Sequence, residues 1–416
     1  MDSSAVRNSV FESVLKNSRI IRYGFWFYQH MPLHIKAALV LLYGMKCYLS
    51  ISWHRANSQQ IAYFGPYPSE KRILRHVHKC LRDIPSTFIE TSLSNCFSPL
   101  ALSHLVADFF AWPRLYKHAM HVVKRNEFMP ALRVFSTIGY YTRFSRLLTG
   151  SNAKAVFIAS HYSPEALGLA VVFHNADRQV FFTNHANATS AERYVPPVYA
   201  DLLALTSQAV ADPIIAASAK ELNIVSIPID SPYQPLRLPN STDLYTVGIY
   251  LTALTAQERL SHLVEVLFDS SQINSVIIRL HPAQIVNYDL SELVHRFPNL
   301  LLSQGTPLQD DINRTDIAIC GNSTVTIELL RSGRPVLYDE HLDHLTKDYN
   351  GYHAKDLVPI CGQKIAPDFL THLNQHYSLS SWESRMKYFD YGYNTNNSQM
   401  LQDFRDAIAA RLGFRL

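Results

Sequence analysis

The sequence has no glycine-rich phosphate loop. Its 14 glycines never fall into a G-x-G-x-x-G or G-x-x-x-x-G-K-S/T spacing, which argues against dinucleotide oxidoreductases and P-loop enzymes. Cysteine is scarce as well. Cys47, Cys80, Cys96, Cys320 and Cys361 are scattered, with no pair spaced for metal or redox work, and read as reduced cytosolic thiols. No Asp-x-Asp stands at the end of a strand, and Asp310-Asp311 precedes a helix, so no metal requirement is expected. His76, His78 and Cys80 invite a metal reading, but helix positions two apart do not share a face. Internal repeats and low-complexity tracts are absent. The amino end lacks an apolar core followed by a small-residue cleavage site, so the expected location is the cytoplasm.

What is present is a chain of 416 residues, too long for one ordinary core and suited to two domains. A hydrophobic fraction of 47% against 17% charged residues describes a globular protein with ample core. The net charge of +4 hides an asymmetry. Residues 1–150 hold 19 Lys and Arg against 7 Asp and Glu, and the remainder holds 19 against 27. A basic front half offers a surface to anions such as acidic lipid headgroups or lipid-linked saccharide, or is simply a soluble basic face. No recognisable motif supports nucleic acid as a partner.

Aromatics crowd the start: Phe25, Trp26, Phe27 and Tyr28, then the apolar run Ile35–Trp53. That run is nearly long enough to span a bilayer, but Lys36 and Lys46 interrupt it at real cost. One or two amphipathic helices are expected instead, lying on the inner membrane surface or on the protein itself. Gln60–Phe64 reads as a first strand, followed by a helix from Ser69 to about Asp83, and Leu102–Leu148 as helices broken near Pro113 and Pro130. Alternation then begins. Ala155–Ala159, Gln179–Thr183, Leu202–Leu205 and Ile224–Ile229 read as strands with helices between them. After a linker at Tyr233–Thr242 come Tyr245–Tyr250, Val276–Leu280, Leu300–Leu302, Ile317–Cys320 and Val336–Tyr338. Strands alternating with helices imply parallel sheets with right-handed crossovers. The expected fold class is α/β, with two doubly wound Rossmann-like domains facing a cleft. The expected division is an N-terminal extension over 1–58, an acceptor-side domain over 59–240, a nucleotide-sugar domain over 241–395, and a C-terminal helix over 396–416 returning to the first domain.

One stretch organises the chemistry. Ile317–Cys320 is a short buried strand, Gly321-Asn322-Ser323-Thr324 a small polar turn, and Val325–Arg331 a short helix stopped by Ser332-Gly333. The turn therefore lies at the carboxyl end of a strand, where open α/β sheets bind ligands, and at a helix start, which attracts phosphate. Ser323 and Thr324 either add two hydroxyl donors to such a site or only cap the helix. One βα unit earlier, Arg279-Leu280-His281-Pro282 ends another strand and puts His281 on the same edge, either as a ligand or as a histidine bonded to backbone. Charge-assisted bonds from such groups to a phosphate contribute roughly 1.5–3 kcal/mol each.

A strand ending in His-Pro, followed by a Ser-Thr turn opening a helix, resembles bacterial glycosyltransferases of the GT-B fold that build capsules and lipopolysaccharides. The resemblance is to those using CMP-activated sugars (sialyl-, polysialyl- and Kdo transferases), and the CDP-glycerol polymerases of teichoic acid synthesis look similar in this region. It covers about Tyr245–Tyr338. It implies that His281, Ser323 and Thr324, with Asn322 beside them, hold the donor phosphate, that Arg279 is a second charge, and that Glu328 reaches the ribose. Arg331 and Arg334 are expected to cap the helix or decorate the surface. The acidic motif ending in glycine that sialyltransferases carry in their first domain is not evident, which leaves the donor sugar open. The implied partners are a nucleotide-sugar donor, CMP-sugar favoured, and an oligosaccharide or glycolipid acceptor, with no cofactor.

For the acceptor hydroxyl a base is needed if configuration inverts. His185 with Asp201 resembles an arrangement found in surface-polymer transferases, with Ala186 replacing the usual glycine. His161 and Glu165 come next, and Asp230 near the expected hinge after them. The competing readings keep the fold with a UDP-sugar or CDP-alditol donor, make the protein a UDP-sugar epimerase, or make it a non-catalytic nucleotide-sugar-binding scaffold.

Overall fold

The computed structural model describes residues 27, 30–53, 60–92, 103, 112–125, 128–184, 198–219, 221–228, 233–240, 243–253, 255–281, 289–344, 348–361 and 369–413. The elements of the first half are α1 (Leu33–Leu49), β1 (Ile51–Trp53), β2 (Ile61–Phe64), α2 (Pro68–Cys80), β3 (Ser86–Thr91), α3 (Trp112–Arg125), α4 (Phe128–Leu148), β4 (Ala155–Ile158), α5 (Pro164–Asn175), β5 (Gln179–Thr183), β6 (Leu202–Leu205), α6 (Gln208–Ala217) and β7 (Ile224–Ser226). The second half continues with β8 (Tyr245–Tyr250), α7 (Gln257–Phe268), β9 (Ile273–Arg279), α8 (Ser291–Arg296), β10 (Leu300–Ser303), α9 (Leu308–Arg314), β11 (Ile317–Cys320), α10 (Val325–Arg331), β12 (Val336–Tyr338), α11 (Phe369–Tyr377), α12 (Trp382–Phe389) and α13 (Asn397–Leu412).

Two parallel sheets result. The first runs β1-β3-β2-β4-β5-β6-β7 and the second β10-β9-β8-β11-β12. All pairings are parallel except that of β1 with β3. The interior strands β2, β4, β6 and β11, and the edge strand β12, are buried at every residue, as strands covered by helices on both faces must be. Both sheets reverse their winding once. In the first the reversal lies between β2 and β4, in the second between β8 and β11. These are the topological switch points at which α/β sheets open a crevice for ligands.

The core sits on both faces of each sheet. On one face of the first sheet, Phe144, Leu169, Phe173 and Phe182 pack together. On the other, Tyr63, Phe157 and Phe181 meet Phe404, Ile408 and Leu412 of α13, so the last described helix completes the first domain's core. The apolar run at the start divides differently from its sequence reading. The helix stops at Leu49, and Ile51–Trp53, β-branched and aromatic at its ends, becomes an antiparallel edge strand. The prolines near 113 and 130 lie in the first turns of α3 and α4, where a missing N–H is harmless. No described helix is long and apolar enough to cross a membrane.

The chain crosses between the domains twice, and the crossings meet. Gln234 and Arg237 donate their backbone N–H groups to Arg331 and Gly333 at 2.9 Å each. On the way back, Tyr391 donates its N–H to Thr206 of the first domain at 2.9 Å, and the Tyr388 hydroxyl donates to Asp212 at 2.8 Å. Between them lies a buried ion pair. Arg331 bonds Asp390, which is 2% exposed, and the Tyr233 hydroxyl donates to the same carboxylate. Arg331 is thus not a surface ornament: its position at the end of α10 aims it into the junction. Arg334 is also buried and donates to Asn313 O at 3.1 Å.

Removing one partner of a buried pair strands the other charge. Asp390→Ala is expected to destabilise the protein by about 3–5 kcal/mol, read as a shift in the urea unfolding midpoint. A change below about 0.5 kcal/mol would show that the junction does not depend on it.

Candidate functional site

The second-domain site grows from the register of its sheet. Tyr250 of β8 stands level with Cys320 of β11 and Arg279 of β9. The residues that follow, Leu251-Thr252, Gly321-Asn322 and Leu280-His281, therefore emerge together at the carboxyl edge. The strand after α10 returns here too, through Asp339 and on to Asp343. Asp343 is 4% exposed. It accepts the Asn322 N–H at 2.6 Å and the Thr252 hydroxyl, and Thr255 pairs with it in a β-bridge. Burial pushes its carboxyl above the usual carboxylate range, against the bonds from Thr252 and Asn322. Gly321 makes this closeness possible, because a Cβ there would lie 2.3 Å from Asp343 Oδ2. His281 is half-buried and near enough to feel Asp343; burial holds its imidazole below the usual value, and the carboxylate opposes that.

The Asn322 amide oxygen accepts the Tyr349 N–H at 2.6 Å, which fixes the turn. Ser323 is buried, and its Oγ accepts a long bond of 3.4 Å from Val325 N, so its O–H keeps its donor capacity. Thr324 is exposed and makes no cap bond. The helix that follows has only seven residues, so its dipole is weak. The convergence of side chains distinguishes this edge.

Two other residues from the sequence reading are engaged elsewhere. Arg279 turns into the layer under α9, where it bonds Asp311 and donates to Thr306 O at 3.0 Å. Asp311 is fully buried and also takes Ser303 and Arg314. Asp310 and Asp311 lie inside the first turn of α9. Glu328, on α10, faces the first domain, and its Oε1 is 3.5 Å from Arg72 Nη2 of α2. Because α2 starts after β2 and α10 after β11, this contact shows that the two switch points face each other across a cleft. Both partners are well exposed, and such a pair contributes well under about 1 kcal/mol.

On the first-domain side, β4 leads into Ser160-His161-Tyr162-Ser163 and then α5. Ser163 caps the helix by accepting from Ala166 N at 3.4 Å, with Pro164 as its first residue. The turn holds His161 edge-on to Phe182, with ring centroids 5.1 Å apart. Glu165 follows, 6% exposed, its carboxyl pushed up by burial while its own N–H and Ser163 pull the other way. Beside it, at the start of α2, is a second buried carboxylate. Glu70 is 2% exposed and accepts the Tyr67 N–H at 3.5 Å in a capping box. Burial pushes its carboxyl up to about 7, opposed by the Tyr67 bond and reinforced by the Glu165 charge. Two buried carboxyls at a switch point, both with raised proton affinity, can serve as acid and base.

The sequence reading missed Glu70 and Asp343. Glu70 was legible only as a helix-start residue, and its burial follows from the crossover that brings β4 beside β2. Asp343 follows β12 in Asp339-Glu340-His341-Leu342-Asp343, an acidic run at a strand end. Asp201 is removed from the site: it precedes β6, at the opposite sheet edge, and bonds His174 Nε2 at 3.1 Å and Val180 N at 2.7 Å. His185 and Asp230 lie outside the described residues. Among the described residues no cluster of His, Cys, Asp or Glu could hold a metal. A cavity of about 300 Å³ lined by Leu81, Asp83, Ile84, Gln402 and Arg405 lies between the end of α2 and α13, ahead of β3 and so on the amino side of the first sheet, opposite the carboxyl edge.

No family model matches the chain, and no curated protein matches it by sequence. Solved structures do match in fold. One is a UDP-N-acetylglucosamine 2-epimerase, with 12% identity and a TM-score of 0.51 over 86% of this chain and 98% of that one. Another is the UDP-GlcNAc 2-epimerase from Neisseria meningitidis bound to UDP-GlcNAc, with 11% identity and a TM-score of 0.50 over 85% of this chain and 99% of that one. At such identities the likeness is one of architecture. With its two Rossmann-like domains, cleft and added N-terminal helices, the chain has the GT-B fold.

Gly321→Ala and Asp343→Ala are each expected to cost about 1–3 kcal/mol of stability, the first by displacing the carboxylate and the second by orphaning its donors. Because they break one contact, the double variant should lose less than their sum in a denaturation cycle; strict additivity would contradict the arrangement. Glu70 gives a pH signature. Its folded carboxyl is raised, so its contribution is fully present below the unfolded value and is lost as pH rises through about 7. Glu70→Gln, which resembles the protonated form, should be near neutral at about pH 5 and stabilising by about 1–3 kcal/mol at about pH 8 in urea titrations. Equal effects at both pH values would contradict the burial of a charge there.

Proposed function

We propose that this protein is a glycosyltransferase that moves a sugar from a nucleotide-activated donor to a saccharide acceptor. The observation that supports this most is the meeting of His281, Asn322, Ser323 and Thr324 at the switch point of the second sheet, with Asp343 beneath them and a cleft above. The donor's phosphate would lie on this edge. Ser323 and Thr324 would donate hydroxyls to it, and His281 would supply a positive charge. As the bond from the sugar's anomeric carbon to the phosphate oxygen breaks, charge develops on that oxygen, and these donors stabilise it. Arg279 has no part, since Asp311 neutralises it. On the opposite edge, Glu165 or His161 would take the proton of the attacking acceptor hydroxyl, and His185 is a third candidate for the base.

The His-Pro and Ser-Thr motifs favour a CMP-activated donor, of the sialic acid or Kdo kind, and a growing surface polysaccharide or lipid-linked glycan as acceptor. A second reading has its own support. Both structures of like fold described above are UDP-GlcNAc 2-epimerases by name, and the buried pair Glu70 and Glu165 offers the carboxylates that proton transfer on a UDP-sugar would use. In that case UDP is the nucleotide recognised, and product forms without any acceptor.

Nucleotide binding separates the readings. A thermal-shift series with CMP, CDP, UDP, GDP and NAD on the native protein should show stabilisation by a cytidine nucleotide. His281→Ala and Ser323→Ala should each weaken it by about 10- to 100-fold, the equivalent of one charge-assisted bond. Stabilisation by UDP alone moves the protein to the second reading, and stabilisation by none removes the donor site. Binding should also tighten as pH falls from about 8 to about 6. The free His281 is held neutral by burial, a phosphate favours its protonated form, and binding therefore takes up a proton. Calorimetry in buffers of different ionisation enthalpy reads that uptake directly.

A further inference from the structure

Helix α1 is apolar on both sides, and among the described residues its inner side is the packed one. Its inner face buries Ala37, Val40, Gly44, Cys47 and Tyr48. The contact with α4 is close enough that a Cβ on Gly139 would lie 2.2 Å from Gly44 O. The outer face exposes Ile35 (41%), Leu39 (40%), Leu42 (57%) and Tyr43 (40%), spaced as one helical stripe. Lys46 extends it, with its ammonium 5.5 Å from the Tyr43 ring centroid. The inner face fixes the helix to its own domain and leaves this stripe exposed.

The helices α1, α3 and α4, which carry and flank the stripe, hold charge of one sign. Helix α3 packs beside α1 through Ala119 and Val123 and turns Arg114, Lys117, His118, His121 and Lys124 outward. Across α1, α3 and α4 there are nine Lys and Arg and no Asp or Glu, although the whole chain holds 34 acidic residues against 38 basic. An exposed aliphatic and tyrosyl stripe bordered by a purely basic helix matches a surface that is apolar just below an anionic layer. That is the outer few ångströms of a bilayer with acidic headgroups.

We propose that α1 and α3 form a docking face for an anionic lipid bilayer, with Leu39, Leu42 and Tyr43 entering the headgroup region and Lys117 and Lys124 meeting the phosphates. The face adjoins the cleft. Tyr43 is near enough to Glu165 and Tyr67 to feel their charge, and Tyr67 (55% exposed) and Tyr162 (42% exposed) continue the aromatic surface toward the first switch point. Arg133 of α4 donates to Tyr162 O, tying that loop to the helix layer. A lipid-linked acceptor held in the bilayer would thus enter at Glu165. This last step rests on the glycosyltransferase reading; the docking does not.

The test is cosedimentation of the full-length protein with vesicles of phosphatidylcholine alone or mixed with phosphatidylglycerol. Binding should be on the order of tenfold or more tighter to the anionic vesicles and should weaken as salt rises. The pairs Leu39→Glu/Leu42→Glu and Lys117→Glu/Lys124→Glu should each reduce it about tenfold or more while leaving the thermal midpoint and any nucleotide-induced shift unchanged. These side chains are exposed, so the variants are expected to fold. Absence of binding to anionic vesicles overturns the proposal, as does equal binding by both variants. A self-association in sedimentation velocity that the leucine variant abolishes, without vesicle binding, assigns the stripe to a second copy instead. Vesicle binding without any nucleotide shift keeps the docking face and removes the glycosyltransferase reading; the reverse outcome does the opposite.

Discussion

The second domain's edge depends on one buried carboxylate. Asp343 accepts from the end of β8 through Thr252 and from the turn after β11 through Asn322, and it acts electrostatically on His281 after β9. Three strands separated in sequence are therefore referenced to a single group. A buried carboxylate without such donors would be expelled or neutralised. With them, it sets the height and direction of the turn, and glycine at 321 is the residue small enough to let it approach. The polar groups that would meet a ligand are thus positioned by a residue that is itself almost wholly withdrawn from solvent.

The two edges of the cleft differ in electrical character. The second-domain edge presents hydroxyls, an amide and an imidazole held neutral by burial, groups that gain by meeting a phosphate. The first-domain edge presents Glu70 and Glu165, both raised and close enough to oppose each other's ionisation. Charge separated in this way suits a reaction in which a proton leaves one side while negative charge collects on the other.

Much of the architecture was legible because burial on both faces writes strands as continuous apolar runs. Ala155–Ile158, Leu202–Leu205 and Ile317–Cys320 stand out for that reason, and the parallel alternation follows from helices of suitable length between such runs. The edge strand Ile51–Trp53 was not legible, since three residues extending a helical apolar run carry no period of their own. The turn Gly321–Thr324 could be found from strand, small polar residues and helix in succession. Asp343 could not, because its importance comes from a loop that returns across the sheet edge. Arg279 and Arg331 show the complementary limit. Sequence places an arginine near an edge or at a helix end, but the partner that claims its charge, Asp311 or Asp390, is fixed only by packing.

The short helix α10 joins two regions that are usually far apart. Its first turn carries Glu328, which meets Arg72 across the cleft, and its last residue, Arg331, sits in the junction with Asp390 and Tyr233. They stand three positions apart, a rise of about 4.5 Å. A rotation of one sheet against the other would have to pass through the paired crossings, which would put its axis close to this helix. A rotation of about 20° moves an atom 5 Å from an axis by under about 2 Å and one 15 Å away by about 5 Å, and neighbouring strands are about 4.8 Å apart. Such a rotation would open the cleft as a wedge, by little beside α10 and by more toward β9 and β10, and would leave the freedom for the bulkier part of a bound molecule on the His281 side.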